Sequence, residues 1–172
     1  QGYYHDGVIT APTEEALIRD IRCGIDAGFN GARMHMKVFE PRYMYHADKM
    51  GYLVWREYGN SGIDYSDIAN LTGYLPDWLE SMKRDVNHPS IVMWCPLNET
   101  WEYGPLSKRA DPRFAAIAYA ETKRYDPSRP CIDTSGFYHV VTDVYDIHDY
   151  TQDQTVFAQR YDKLKTDRTT NE

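Results

Sequence analysis

What most constrains the fold of this chain is a unit that keeps restarting: an amphipathic helical segment, a Gly or Pro stop, a short apolar run and a polar loop. Thr13 followed by Glu14 and Glu15 opens the first helix with a cap and an acidic first turn. Leu17, Ile21, Gly24 and Ile25 form its apolar face, and Gly28 stops it. Residues 31–35 follow as a strand. The unit then repeats as a helix over 41–50 ended by Gly51 and a strand over 52–55 leading to Arg56-Glu57-Tyr58. After a loop rich in Gly, Asn, Ser and Asp over 59–73, residues 75–86 read as a helix carrying Trp78, Leu79, Met82 and Val86. It delivers the chain to the apolar run that starts at Ile91. A helix over 112–125, with Phe114, Ile117, Ala118 and Glu121 at helical spacing, precedes a strand over 131–134. Residues 144–147 read as another strand, reached by loop, and 155–164 as a last helix with Val156, Phe157, Tyr161 and Leu164 on its inner face.

Alternating helices and strands predict an α/β fold with a parallel sheet and helices packed outside it. The sheet can be doubly wound or closed as a (β/α)8 barrel. No G-x-G-x-x-G or G-x-x-x-x-G-K-[ST] turn occurs, which favours the barrel. A barrel gathers its active site at the carboxyl ends of the strands. Arg33 and His35, Glu57 and Tyr58, Asn98 and Glu99, Asp133 and Ser135, and His148 and Tyr150 all fall there. Residues 91–101 give the most specific of these ends, a buried strand that stops in Asn98-Glu99 with Trp101 just beyond. A carboxyl beside an amide is what cleavage of a glycosidic bond needs, a proton donor for the leaving oxygen and a partner for sugar hydroxyls.

Each candidate has a plainer alternative. Glu99 is either the catalytic acid or a salt-bridged carboxylate. Arg33 is either a site residue or the partner of Glu57 in a structural ion pair. His35 and His148 either bind sugar or orient a neighbour. Trp101 either stacks on the C–H face of a sugar or anchors its loop. Trp94, in mid-strand, reads as core.

Composition narrows the partner. With 42% hydrophobic residues among 172, the chain buries a substantial core, and a net charge of −7 excludes the broad basic face that nucleic acid or an anionic membrane surface requires. No apolar run approaches the roughly 18 to 20 residues of a membrane span. An uncharged polar ligand such as a carbohydrate is expected. Cys23, Cys95 and Cys131 include no Cys-x-x-Cys pair and the six His lack ligand spacing, so reduced, buried thiols and no metal site are expected. No organic cofactor is implied. The start at Gln1 has neither an initiator Met nor a signal-peptide pattern, as in a segment cut from a longer chain.

The segments Gly28-Phe29-Asn30-Gly31-Ala32-Arg33-Met34-His35, Tyr52-Leu53-Val54-Trp55-Arg56-Glu57, Asn87-His88-Pro89-Ser90-Ile91 through Asn98-Glu99-Thr100-Trp101, and Asp146-Ile147-His148-Asp149-Tyr150 resemble glycoside hydrolase family 2, the family of β-galactosidases, β-glucuronidases and β-mannosidases. The resemblance spans nearly the whole chain in order. It implies one domain over 1–172, a partial barrel covering about strands two to six. By similarity Glu99 matches the family's general acid/base, Asn98 the amide that bonds the 2-hydroxyl, Arg33 the arginine that supports the nucleophile, and Tyr150 a site tyrosine. The family's nucleophile is a second Glu at the end of barrel strand seven, and Glu172, in a Thr/Asn/Asp-rich tail, is not assigned that role.

A full barrel takes about 250 residues, so the expectation is a fragment of a retaining β-glycosidase that is inactive alone and self-associates through open strand edges. The rival from another class is a non-catalytic carbohydrate-binding or assembly module on a degenerate barrel. A third reading is a metal-dependent hydrolase using Glu57, His35 and His148 as ligands.

Overall fold

A computed structural model describes residues 4, 5, 7, 8, 10–100, 110–136 and 139–162. Helix α1 (Glu14–Asp26) starts where Thr13 accepts a hydrogen bond from the Ala16 N–H, with two acidic residues at the positive end of the helix dipole. Leu17 and Ile21 are fully buried, but Ile25 is 41% exposed. Successive residues advance about 100° around a helix, which turns Ile25 roughly 80° away from Leu17 and off the packed face. Strand β1 (Gly31–Arg33) stops two residues short of the expected end, helix α2 (Pro41–Met50) follows as expected, and strand β2 (Leu53–Glu57) runs on through Arg56 and Glu57. Helix α3 (Leu71–Asp85) begins earlier than expected, after a 3₁₀ turn over Ile68–Asn70. Burial of Leu71 and Tyr74 anchors the additional turn ahead of Pro76.

The apolar run forms β3 (Ile91–Cys95) and β4 (Leu97–Asn98), divided at Pro96, whose missing N–H interrupts the ladder. Helix α4 (Pro112–Tyr125), capped by Asp111, leads to β5 (Thr134–Ser135), and helix α5 (Gln154–Tyr161), capped by Asp153, is the last element among the described residues. Strands β1, β2 and β3 pair in that order, all parallel; β4 pairs with β5, also parallel, and a bridge joins Trp94 to Cys131. Chain order equals spatial order, as in a barrel wall; a doubly wound sheet reverses order at its switch point.

The core lies between these strands and helices α1 to α4. Trp78 and Trp94 meet edge to face at 5.9 Å, and each indole N–H is satisfied, Trp78 by Thr122 Oγ1 at 2.7 Å and Trp94 by Asp126 Oδ2 at 2.8 Å. Along β2 the side chains alternate. Val54 and Arg56 are buried on one face, where Arg56 Nε donates to Asp85 Oδ2 on α3 at 2.9 Å, while Glu57 turns to Arg33.

Three expectations are corrected. Residues 144–147 form no strand, because local side chains take up backbone groups that a ladder would use: Thr142 Oγ1 donates to the Val144 carbonyl at 2.7 Å, and the Asp146 carbonyl lies 2.8 Å from His139 Nε2. On α5, Val156 and Phe157 are nearly half exposed rather than buried on an inner face, and Phe157 meets the ring of Tyr161 in its own helix at 4.9 Å. Leu164 lies outside the described residues. Cys95 and Cys131 are buried and free, as expected, and burial pushes both thiols up; Cys23 is free but exposed.

Candidate active site

The strand ends converge on Asn98 and Glu99. Arg33, at the tip of β1, donates through Nε to Glu57 Oε1 and through Nη2 to Asn98 Oδ1, and its guanidinium lies over the Trp55 ring at 5.3 Å. Glu57 is fully buried and its second oxygen accepts the Met36 N–H at 2.9 Å. The ion pair of the plainer reading is present, and the same guanidinium also grips the Asn98 amide. His35 sits beside the same carboxylate, with Nδ1 3.6 Å from Glu57 Oε2 and its side chain 35% exposed.

The backbone of Asn98 is held by Asn60, from the loop after β2. Its Nδ2 donates to the Asn98 carbonyl at 2.9 Å and its Oδ1 accepts the Asn98 N–H at 3.1 Å. Sequence reading missed Asn60 because one Asn in a loop of Gly, Asn and Ser carries no local signal. Tyr65 donates back to the Asn60 carbonyl at 2.6 Å and fixes the loop.

Glu99 follows in the left-handed region, φ 49°, with its N–H on the Ser135 carbonyl at 2.9 Å. Its side chain is 25% exposed, and Oε1 lies 2.5 Å from His148 Nδ1 and 3.5 Å from the hydroxyl of Tyr150, itself 77% exposed. Gly136, at φ 125°, passes so close that a Cβ there would lie 3.2 Å from both Glu99 Cγ and His148 Nδ1. Behind His148, Ser135 Oγ lies 3.2 Å from Nε2 and donates to Asp146 Oδ2 at 2.7 Å.

Asp146 also accepts the Gly136 N–H at 3.2 Å and faces His139 Nε2 at 3.2 Å, and the other nitrogen of His139 lies 2.8 Å from the fully buried Asp133. Burial opposes the charge of His139, but its bonds to Asp133 and Asp146 outweigh that and push it up to about 10. Burial would raise the Asp146 carboxyl, and the bonds from His139, Ser135 and the Gly136 N–H more than reverse that and hold it below the usual carboxylate range.

The structure thus brings together Arg33, His35, Asn98, Glu99, His148 and Tyr150; Trp101 lies outside the described residues. His35 stands by Glu57 and His148 by Glu99, and among the described residues no group of three or more His, Cys, Asp or Glu is placed to hold a metal ion. No helix among the described residues is long and apolar enough to cross a membrane.

Residues 13–171 match the sequence profile of glycosyl hydrolases family 2, TIM barrel domain. The chain belongs to this family. Within family 2 it is 30% identical over 125 residues to a β-galactosidase of Vibrio vulnificus, covering 69% of this chain and 11% of that protein. A β-glucuronidase of Canis lupus familiaris is 33% identical over 118 residues, covering 66% of this chain and 17% of that protein. The chain therefore spans a small part of the length of the relatives it matches.

Among solved structures, a β-glucuronidase of Parabacteroides merdae with glycerol in its active site superposes with a TM-score of 0.73 at 20% identity, covering 91% of this chain and 21% of that one. A family 2 β-galacturonidase of Eisenbergiella tayi bound to galacturonate gives 0.58 at 26% identity, covering 70% and 22%. The fold is that of the family 2 TIM barrel, present here in part.

Proposed function

We propose that this chain carries the acid/base half of the active site of a retaining β-glycosidase acting on a terminal β-linked sugar. Glu99 protonates the departing glycosidic oxygen and then activates water, and the nucleophilic carboxylate lies outside this chain. A retaining reaction places the two carboxyls about 5 to 5.5 Å apart across the bond. In this reading residues 1–172 are one partial barrel, with β1, β2, β3 with β4, and the stretch around β5 serving as barrel strands two to five and 144–147 occupying the place of the sixth. Asn98, oriented by Arg33, bonds the sugar hydroxyl next to the reacting carbon; His35, His148, Tyr150 and Trp101 line the substrate.

The observation that carries the proposal is a partly exposed Glu99 carboxylate at a strand end, beside an amide fixed from both its main chain and its side chain. The activities named for the family 2 relatives, on β-galactosides, β-glucuronides and β-galacturonides, support the substrate class. The barrel edge at β1, which pairs with one strand among those described, supports self-association of this segment when alone.

The test is Glu99→Gln in the full-length protein against aryl β-glycosides of graded leaving-group ability. The variant should lose about 10²- to 10⁴-fold in kcat/KM on poor leaving groups and much less on activated ones, where protonation contributes little. Native rates on the poor leaving group would overturn the assignment. Sugar binding indifferent to Glu99, with no turnover, would instead mark a carbohydrate-binding module.

A further inference from the structure

We propose that Ser135 and Asp146 are positioning residues for the acid/base: they hold His148 with its Nε2–H on Ser135, so that Nδ1 meets Glu99 and the two side chains keep one proton between them. The inference rests on the reading of Glu99 as the acid/base and concerns how that residue stays loaded.

An ionised carboxylate only accepts hydrogen bonds, so the Ser135 hydroxyl proton points to Asp146 Oδ2 at 2.7 Å. The Ser135 oxygen then has only lone pairs to offer His148 Nε2 at 3.2 Å, and Nε2 must be the donor. A neutral ring protonated at Nε2 carries a lone pair on Nδ1, which lies 2.5 Å from Glu99 Oε1. That contact is favourable with the proton on Glu99, or with His148 cationic and Glu99 anionic. It is unfavourable when the shared proton is gone, because a ring lone pair then faces a carboxylate. The alternative tautomer, with Nδ1–H donating to Glu99, would relieve the emptied pair, and Ser135 with Asp146 opposes it.

Among the described residues, the groups facing the pair are few. Tyr150 presents its hydroxyl to Glu99 at 3.5 Å, and Gly136 closes the side nearest both. Asp146 stands behind Ser135, His139 bridges Asp146 to Asp133, and His139, pushed up to about 10, stays cationic. Two carboxylates around one cation leave one negative charge behind His148, which also favours retention of the shared proton. Nothing in the linear sequence ties Ser135 to Asp146; the fold alone places them back to back with Glu99.

In the full-length protein, Ser135→Ala should move the alkaline limb of kcat/KM for a poor leaving group to lower pH, and Asp146→Asn should move it the same way. In a His148→Asn background, adding Ser135→Ala should leave the limb where it is. A native limb in Ser135→Ala, or an equal movement without His148, would overturn the proposal. A second readout needs no turnover: in ¹⁵N-histidine spectra of the native protein His148 should be protonated at Nε2 at every pH, and an Nδ1–H neutral form would also overturn it. Failure of the acid/base reading is seen separately, as native rates for Glu99→Gln on the poor leaving group.

Discussion

Gly136 shows how little room a single residue has at this site. Its φ of 125° strains any side chain, and a Cβ 3.2 Å from both Glu99 Cγ and His148 Nδ1 would require those groups to give by a few tenths of an ångström. Gly136→Ala should displace the carboxylate and imidazole slightly and strain the turn, lowering kcat in the full-length protein by less than the roughly 10²-fold that a full 1 Å of misplacement costs. Steady-state kinetics beside thermal unfolding checks this, and a loss of kcat no greater than the loss of folded protein would count against it. Glu99 and Asn98 were legible because an apolar strand ends in them, and the resemblance to family 2 reinforced that reading. Asn60 and Gly136 were not, since a loop Asn and a loop Gly acquire meaning only when distant strand ends come to lie beside them.

The elements rest on polar pairs as well as on apolar faces. Arg56 on β2 is fully buried against Asp85 at the end of α3, which Arg84 also contacts at 2.6 Å, and burial lowers the Arg56 guanidinium from its ordinary value. Asp85→Ala would leave that cation buried without its partner, and a loss of about 3 to 5 kcal/mol is expected, read as a lowered midpoint in urea unfolding. A midpoint within experimental error of the native one would show the pair to be dispensable.

The Asn-His-Pro-Ser stretch finds its reason at this scale. His88 Nδ1 lies 2.6 Å from Asp48 Oδ2, and the Ser90 N–H donates to Asp48 Oδ1 at 2.9 Å, so the motif clamps α2 to the start of β3 and works away from the strand ends. Helix α1 was legible from its Thr13 cap and apolar spacing, α2 from Pro41 and the Gly51 stop, and α3 and α4 from apolar spacing, though the start of α3 was not. The false strand at 144–147 arose because Val144, Tyr145 and Ile147 make an apolar run, while Thr142 and His139 take up backbone carbonyls of that stretch through side-chain contacts.

For the molecule as a whole, the strand order that identifies the barrel wall also leaves β1 with one neighbour among the described strands. The 172-residue polypeptide alone is expected to associate with rising concentration in sedimentation velocity; a single monomeric species across the range would refute pairing through that edge. The pairing of Arg33 with Trp55, of Glu57 with Cys95 and of Asn98 with Ser135 sets the heights at which these groups meet. Because strand side chains alternate between faces, a slip of one residue would turn Arg33 or Glu57 toward the helices and release the Asn98 amide together with the grip on its neighbour. The polar cluster thus acts as a parity check on the sheet: a wrongly registered copy forfeits its chemistry outright, so the strands that build the wall also verify it.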